Sequence, residues 1–138
     1  MALGSAINGF VWEDGALATY LYFSTADGNV WCIRDPGVSQ PPPSTPPLSP
    51  QASCPWKNLV NGTGVSNLLP LDPPYAGLYV GGADGTLRRL NPASGVIETT
   101  VTVGDGTKVV GDLSTETGSE VFVPTSEGKI YKFPLPLP

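Results

Sequence analysis

A thirteen-residue segment is written three times along this chain of 138 residues. It reads Leu21-Tyr22-Phe23-Ser24-Thr25-Ala26-Asp27-Gly28-Asn29-Val30-Trp31-Cys32-Ile33. It returns as Leu78-Tyr79-Val80-Gly81-Gly82-Ala83-Asp84-Gly85-Thr86-Leu87-Arg88-Arg89-Leu90, and again as Val121-Phe122-Val123-Pro124-Thr125-Ser126-Glu127-Gly128-Lys129-Ile130-Tyr131-Lys132-Phe133. The acidic-Gly pair recurs at offsets of 57 and then 43 residues, and a period in that range is the signature of stacked supersecondary units. Such a unit cannot bury its apolar face alone, so each copy must pack against its neighbour.

The same local grammar surrounds each copy. In the middle one, 64–69 reads as a first strand, 70–76 as a turn-rich link and 77–82 as a second strand. Asp84-Gly85 is a tight hairpin turn, because glycine supplies the positive φ such turns need. A third strand over 86–90, a turn at Asn91-Pro92-Ala93-Ser94-Gly95 and a β-branched strand over 96–103 complete four antiparallel strands. The third copy gives strands at 108–113, 120–125 and 129–133 around Glu127-Gly128. It then ends in Pro134-Leu135-Pro136-Leu137-Pro138, where proline removes ladder donors and stops the sheet. Its outermost strand is missing. The first copy gives strands at 7–12, 20–25 and 29–34, with a turn at Glu13-Asp14-Gly15. Its fourth strand, near Trp56-Lys57-Asn58-Leu59-Val60, is displaced by a Pro-, Ser- and Gln-rich insertion over 36–55. The expected units are therefore 7–60, 64–103 and 107–135.

Composition agrees with an all-β chain. Charged residues are 14% of the sequence, while glycine (17) and proline (16) are abundant, as in short strands joined by tight turns. The net charge is −5 and the only basic pair, Arg88-Arg89, falls on opposite faces of a strand. That speaks against a nucleic-acid surface. No apolar run is long enough for a transmembrane helix, so no membrane insertion is expected. Met1 to Ala6 lack the charged and apolar regions of a signal peptide. Histidine is absent, which removes the commonest general base and metal ligand.

The run from Leu78 to Leu87, followed by Leu90-Asn91-Pro92-Ala93-Ser94-Gly95, resembles the repeat of quinoprotein-type (PQQ-like) β-propellers. That repeat runs strand, Asp-Gly, strand, an Asp/Asn-x-x-x-Gly turn, and an outer strand that usually carries a tryptophan. The resemblance covers nearly the whole chain outside 36–55. It implies four-stranded propeller blades, about three of them. The middle copy departs from the pattern at Thr99-Thr100-Val101, where the outer-strand tryptophan would stand. NHL and YVTN propeller repeats share the same outline. Three blades are too few to close a ring of four to eight. The expectation is a piece of a larger propeller, with a natural C-terminus and a cut N-terminus, or a chain that assembles with copies of itself or another protein.

Each candidate site residue has a structural alternative. The pairs Asp27-Gly28, Asp84-Gly85 and Glu127-Gly128 offer carboxylates for calcium, but lack the closely spaced oxygens of a calcium loop and read as repeat turns. Cys32 and Cys54 bracket the insertion without metal or redox spacing, and read as a disulfide that closes its base. This implies an oxidising, extracellular or periplasmic location. Within the insertion, 40–50 has Pro-x-x-Pro spacings that could dock a partner as a polyproline helix, and reads otherwise as a solvated loop. Asn61-Gly62-Thr63 matches a glycosylation sequon and also a turn. Trp12, Trp31 and Trp56 read as packing between units rather than as a stacking platform. Ser24, Ser66 and Ser114 lack a base partner.

Function follows in three forms. The first is a non-catalytic, secreted or cell-surface scaffold that binds a protein or polymer, with no cofactor and no metal. The second is a structural subunit that self-associates through open blade edges. The third is a fragment of a PQQ-dependent dehydrogenase, which would need a calcium-binding acidic cluster and a stacking tryptophan that the sequence does not place.

Overall fold

In a computed structural model the described residues are 5–14, 19–34 and 55–138. They hold ten strands and no helix. Four form the first sheet: β1 (Ile7–Asp14), β2 (Thr19–Thr25), β3 (Asn29–Arg34) and β4 (Trp56–Leu59). The second holds β5 (Leu69–Leu71), β6 (Gly77–Gly81), β7 (Thr86–Leu90) and β8 (Ile97–Thr102). The third holds β9 (Glu120–Pro124) and β10 (Ile130–Pro134). Neighbours in sequence are neighbours in each sheet, and every pairing is antiparallel. The described residues thus form an all-β succession of two four-stranded meanders and one hairpin.

The repeated segment is a hairpin in each sheet, and its turn is the same device each time. The amide of Gly28, Gly85 and Gly128 donates to the carbonyl three residues back, at 2.9, 3.2 and 3.0 Å. All three glycines have φ between 78° and 89°. This is left-handed backbone that only glycine adopts cheaply. The acidic residue before each glycine keeps a negative φ, since only glycines are positive in φ. The amide one residue before it (Ala26, Ala83, Ser126) donates to Ala6, Gly64 and Val109 respectively. These two bonds of the turn therefore recur in all three copies even where side chains differ.

Alternation along the strands sends side chains to two faces. We call the face that meets the following sheet the forward face. Tyr22, Val30 and Cys32 of the first sheet meet Leu78, Val80 and Leu90 of the second in one buried cluster. Tyr79 and Leu87, on the opposite face of the second sheet, meet Val121 and Val123 of the third in another. The middle sheet is buried on both sides, and all five residues of β6 are buried.

Trp56 locks the first junction. It is fully buried on the forward face, and its Nε1 donates to the Pro92 carbonyl at 2.9 Å. Its ring lies against Gly95 so closely that a Cβ there would sit 2.3 Å from it. Asn58, two residues on, donates to the Gly95 carbonyl at 2.9 Å. The outer strand of one sheet thus grips the Asn91–Gly95 turn of the next. The register places Trp56 opposite Cys32 and Thr99 opposite Arg89, equivalent positions of the repeat. Of the other tryptophans, Trp31 stacks on Phe23 with centroids 5.8 Å apart, with the Lys57 ammonium 4.6 Å from its ring centre. The side chain of Trp12 lies outside the described ones.

Three expectations need correction. The first strand of the middle copy runs over Leu69–Leu71, not 64–69, with a single bridge at Val65–Gly82. Between them the Ser66 amide still donates to the Gly81 carbonyl at 2.8 Å, but the Ser66 hydroxyl accepts the Gly81 amide and the Asn67 amide donates to Asp112, so side chains replace the rest of the ladder. The strand expected over 108–113 is reduced to bridges at Val110–Thr125 and Ser114–Phe122. Pro124 accepts from Gly111 at 2.8 Å but has no N–H to return, which interrupts a ladder there. The C-terminal prolines do not simply end the sheet. Leu135 donates to the Ser119 carbonyl at 2.9 Å, and Leu135 and Leu137 pack on the second core cluster.

Candidate interaction site: the open side of the last sheet

The forward face repeats three times, and the third instance is uncovered. Val30 and Leu87 occupy equivalent positions and are 0% exposed, whereas their counterpart Ile130 is 71% exposed. Tyr22 and Tyr79 are buried; their counterpart Phe122 is only half-buried, with the Lys132 ammonium 5.7 Å from its ring centre. The edge is open as well. β3 pairs with β4 and β7 with β8, while β10 pairs with β9 alone among the described strands.

Where an outer strand is present, its end is fastened in one way. Val60, just after β4, donates to the Gly28 carbonyl at 2.9 Å, and Val103, just after β8, donates to the Gly85 carbonyl at 2.9 Å. A Cβ on Gly28 would lie 1.6 Å from the Asn61 carbonyl oxygen, and one on Gly85 would lie 2.5 Å from that of Gly106. The same point beside Gly128 has nothing within 4 Å. Charge follows the pattern. Arg89 meets Glu98 of the outer strand at 2.8 Å. Its counterpart Lys132 has the Phe122 ring as its described neighbour, and no carboxylate within salt-bridge range among the described residues.

The acidic residues of the three turns are separate clamps. Burial would raise the Asp27 carboxyl, but hydrogen bonds from Thr25 and Asn29 outweigh it and hold the group below the usual carboxylate range. Burial opposes ionisation at Asp84 too, and the bonds from Arg88 and Thr86 again prevail. Glu127 accepts from Tyr131 at 3.1 Å and pairs with Lys129 at 3.4 Å. Among the described residues no three His, Cys, Asp or Glu gather to hold a metal. The two arginines of the basic pair turn apart: Arg88 goes to Asp84, and Arg89 to the Ala76 carbonyl and Glu98. No helix among the described residues is long and apolar enough to cross a membrane.

Cys32 is fully buried, and the expected pairing with Cys54 lies outside the described residues, as does the 40–50 segment. Asn61 spends its side chain on a turn, bonding Gly64 and Thr63. The Ser24 hydroxyl donates to the Ser66 carbonyl at 2.6 Å and joins the first two sheets.

Sequence reasoning missed one feature at the other end of the last sheet. The Glu120 carboxylate accepts from the Thr117 hydroxyl and amide, the Glu116 amide at 2.8 Å and the Ser119 hydroxyl at 3.1 Å. The Thr117 hydroxyl is the largest influence, and together these donors hold the carboxyl down at about 2. The run Thr115-Glu116-Thr117-Gly118-Ser119 before Glu120 was the available signal. This loop walls a groove of about 420 Å³, whose other wall is Pro70 to Tyr75.

No protein-family profile, no characterised sequence and no solved structure matches the chain.

Proposed function

We propose that the chain is a non-catalytic scaffold of β-propeller-type blades, a secreted or cell-surface module that binds a protein through the open side of its last blade. One observation carries this reading: Ile130 stands in water where Val30 and Leu87 are fully covered. An exposed, unpaired strand edge beside an apolar face is a template for another strand. The likeness to quinoprotein-type repeats supports the blade assignment, and the twice-repeated packing of forward face on following sheet is what a propeller arc requires. A self-assembling subunit is the second reading, favoured by the same edge. The test is amide exchange over 129–133, followed with native mass measurement across protein concentration. The reading expects fast exchange in the dilute monomer, with protection appearing only on association or on addition of a partner. A stable, monodisperse monomer with slow exchange along 129–133 overturns it.

A further inference from the structure

We infer that the edge of β10 is a five-residue strand slot that recognises an extended acidic segment of another polypeptide, ending in a valine whose amide donates to the Gly128 carbonyl. The inference rests on the open-edge reading above and specifies the partner.

The slot is defined by its two filled copies. In the first sheet its five positions are Trp56, Lys57, Asn58, Leu59 and Val60, opposite Cys32, Trp31, Val30 and Asn29, with the last bonded to Gly28. In the second they are Thr99, Thr100, Val101, Thr102 and Val103, opposite Arg89, Arg88, Leu87 and Thr86, with the last bonded to Gly85. The empty copy lies opposite Lys132, Tyr131, Ile130 and Lys129, and ends at Gly128. Directly opposed residues of an antiparallel pair share a face. Positions one, three and five therefore lie on the forward face, beside Ile130.

Both filled slots end in the same residue. Val60 belongs to the first core cluster and Val103 to the second, and both are buried. Position five is thus a small β-branched side chain entering the core while its amide closes on the glycine carbonyl. The third position faces Ile130, where Val101 faces Leu87 in the second sheet. In the second sheet the start of the slot is set by charge. Glu98, at the bulge just before position one, reaches Arg89, and Lys132 holds the Arg89 place. A carboxylate just before position one satisfies Lys132. The two strands of this kind in the described chain, β4 and β8, are already paired, and the occupant inferred here is a segment of another polypeptide.

The chain's own outer strand supplies the probe. A synthetic peptide of residues 96–103, Val-Ile-Glu-Thr-Thr-Val-Thr-Val, is titrated into the full chain while amide exchange is followed over 130–134. Saturable binding that protects 130–134 is expected. Replacing the peptide glutamate with lysine weakens binding about two- to fivefold, the size of a partly exposed ion pair. In Lys132→Glu protein that preference reverses. N-methylation of the final valine, which removes the one N–H aimed at Gly128, weakens binding about fivefold, the worth of one backbone hydrogen bond. Absence of binding while 130–134 exchanges fast overturns this inference and leaves the open-edge reading intact. Slow exchange without peptide overturns both. Protection that appears at β7 instead, or binding indifferent to both peptide changes, overturns the slot. Protection that rises with protein concentration alone assigns the edge to a second copy and likewise overturns it.

Discussion

Replacing Trp56 with alanine removes the largest buried side chain at the junction of the first two sheets. Truncating a buried tryptophan costs about 3–5 kcal/mol through lost burial and the cavity left behind. The Pro92 carbonyl also loses its 2.9 Å partner, worth about 1 kcal/mol. A loss of about 4–6 kcal/mol is therefore expected, a large share of the roughly 5–15 kcal/mol that holds a domain together. Urea unfolding followed by far-UV circular dichroism measures it. The same geometry fixes a second number. Gly95→Ala introduces a Cβ 2.3 Å from the indole and places alanine at a φ of 73°. In the Trp56→Ala background the clash is gone and only the backbone strain remains, about 1–2 kcal/mol. Gly95→Ala should then cost markedly less in the double variant than alone, a coupling of order 1–3 kcal/mol. Purely additive losses, or a Trp56→Ala cost below about 1 kcal/mol, would refute the grip of β4 on the Asn91–Gly95 turn.

Acid should loosen the loop around Glu120. Its carboxyl is held at about 2 in the folded chain, below the ordinary value of 4.5, so its contribution is complete above about pH 4.5 and is lost as pH falls towards 2. Melting temperatures between pH 5 and 2 should fall less steeply in Glu120→Gln than in the parent, and parallel curves would sink the assignment. The three turn glycines should differ in tolerance. Gly28→Ala and Gly85→Ala meet backbone oxygen and should cost several-fold more than Gly128→Ala, which meets nothing and carries only left-handed strain of about 1–2 kcal/mol. Equal losses on thermal unfolding would mean the last turn is covered as the others are. Thiol titration of unreduced, denatured protein should find no reactive cysteine if Cys32 and Cys54 are joined, and two thiols in protein purified without reductant would refute the pairing.

The hairpins were legible because their causes are local. Asp-Gly or Glu-Gly between alternating apolar residues dictates a turn at Gly28, Gly85 and Gly128, and the flanking strands follow from β-branched and aromatic periodicity. The missing outer strand of the third copy was legible from comparison within the chain. What stayed hidden depends on contacts between sheets. The late start of β5 is set by Ser66 and Asn67 bonding to Gly81 and Asp112, the latter in a distant segment. The C-terminal tail reads as a run of sheet breakers, yet Leu135 and Leu137 use the core beside them. Trp56 was expected to pack between units, but its partner turn is visible only once the sheets are stacked. The acidic residues fall at the hairpin turns of the three sheets, and each carboxylate has its own donors.

The middle sheet has a further consequence through thermodynamic linkage. Both its faces are covered, so it joins two interfaces into one continuous stack, with the least protected sheet at the far end. A strand bound at β10 would be felt only there, at the third sheet, if the sheets opened independently. If they open together, occupancy raises the unfolding free energy of the whole stack by RT ln(1 + [L]/Kd), about 2.7 kcal/mol at a hundredfold excess over Kd. Residues around Trp56, which never meet the ligand, would then gain heat resistance along with the edge. Occupancy of one terminal strand edge would then set the heat resistance of all three sheets together.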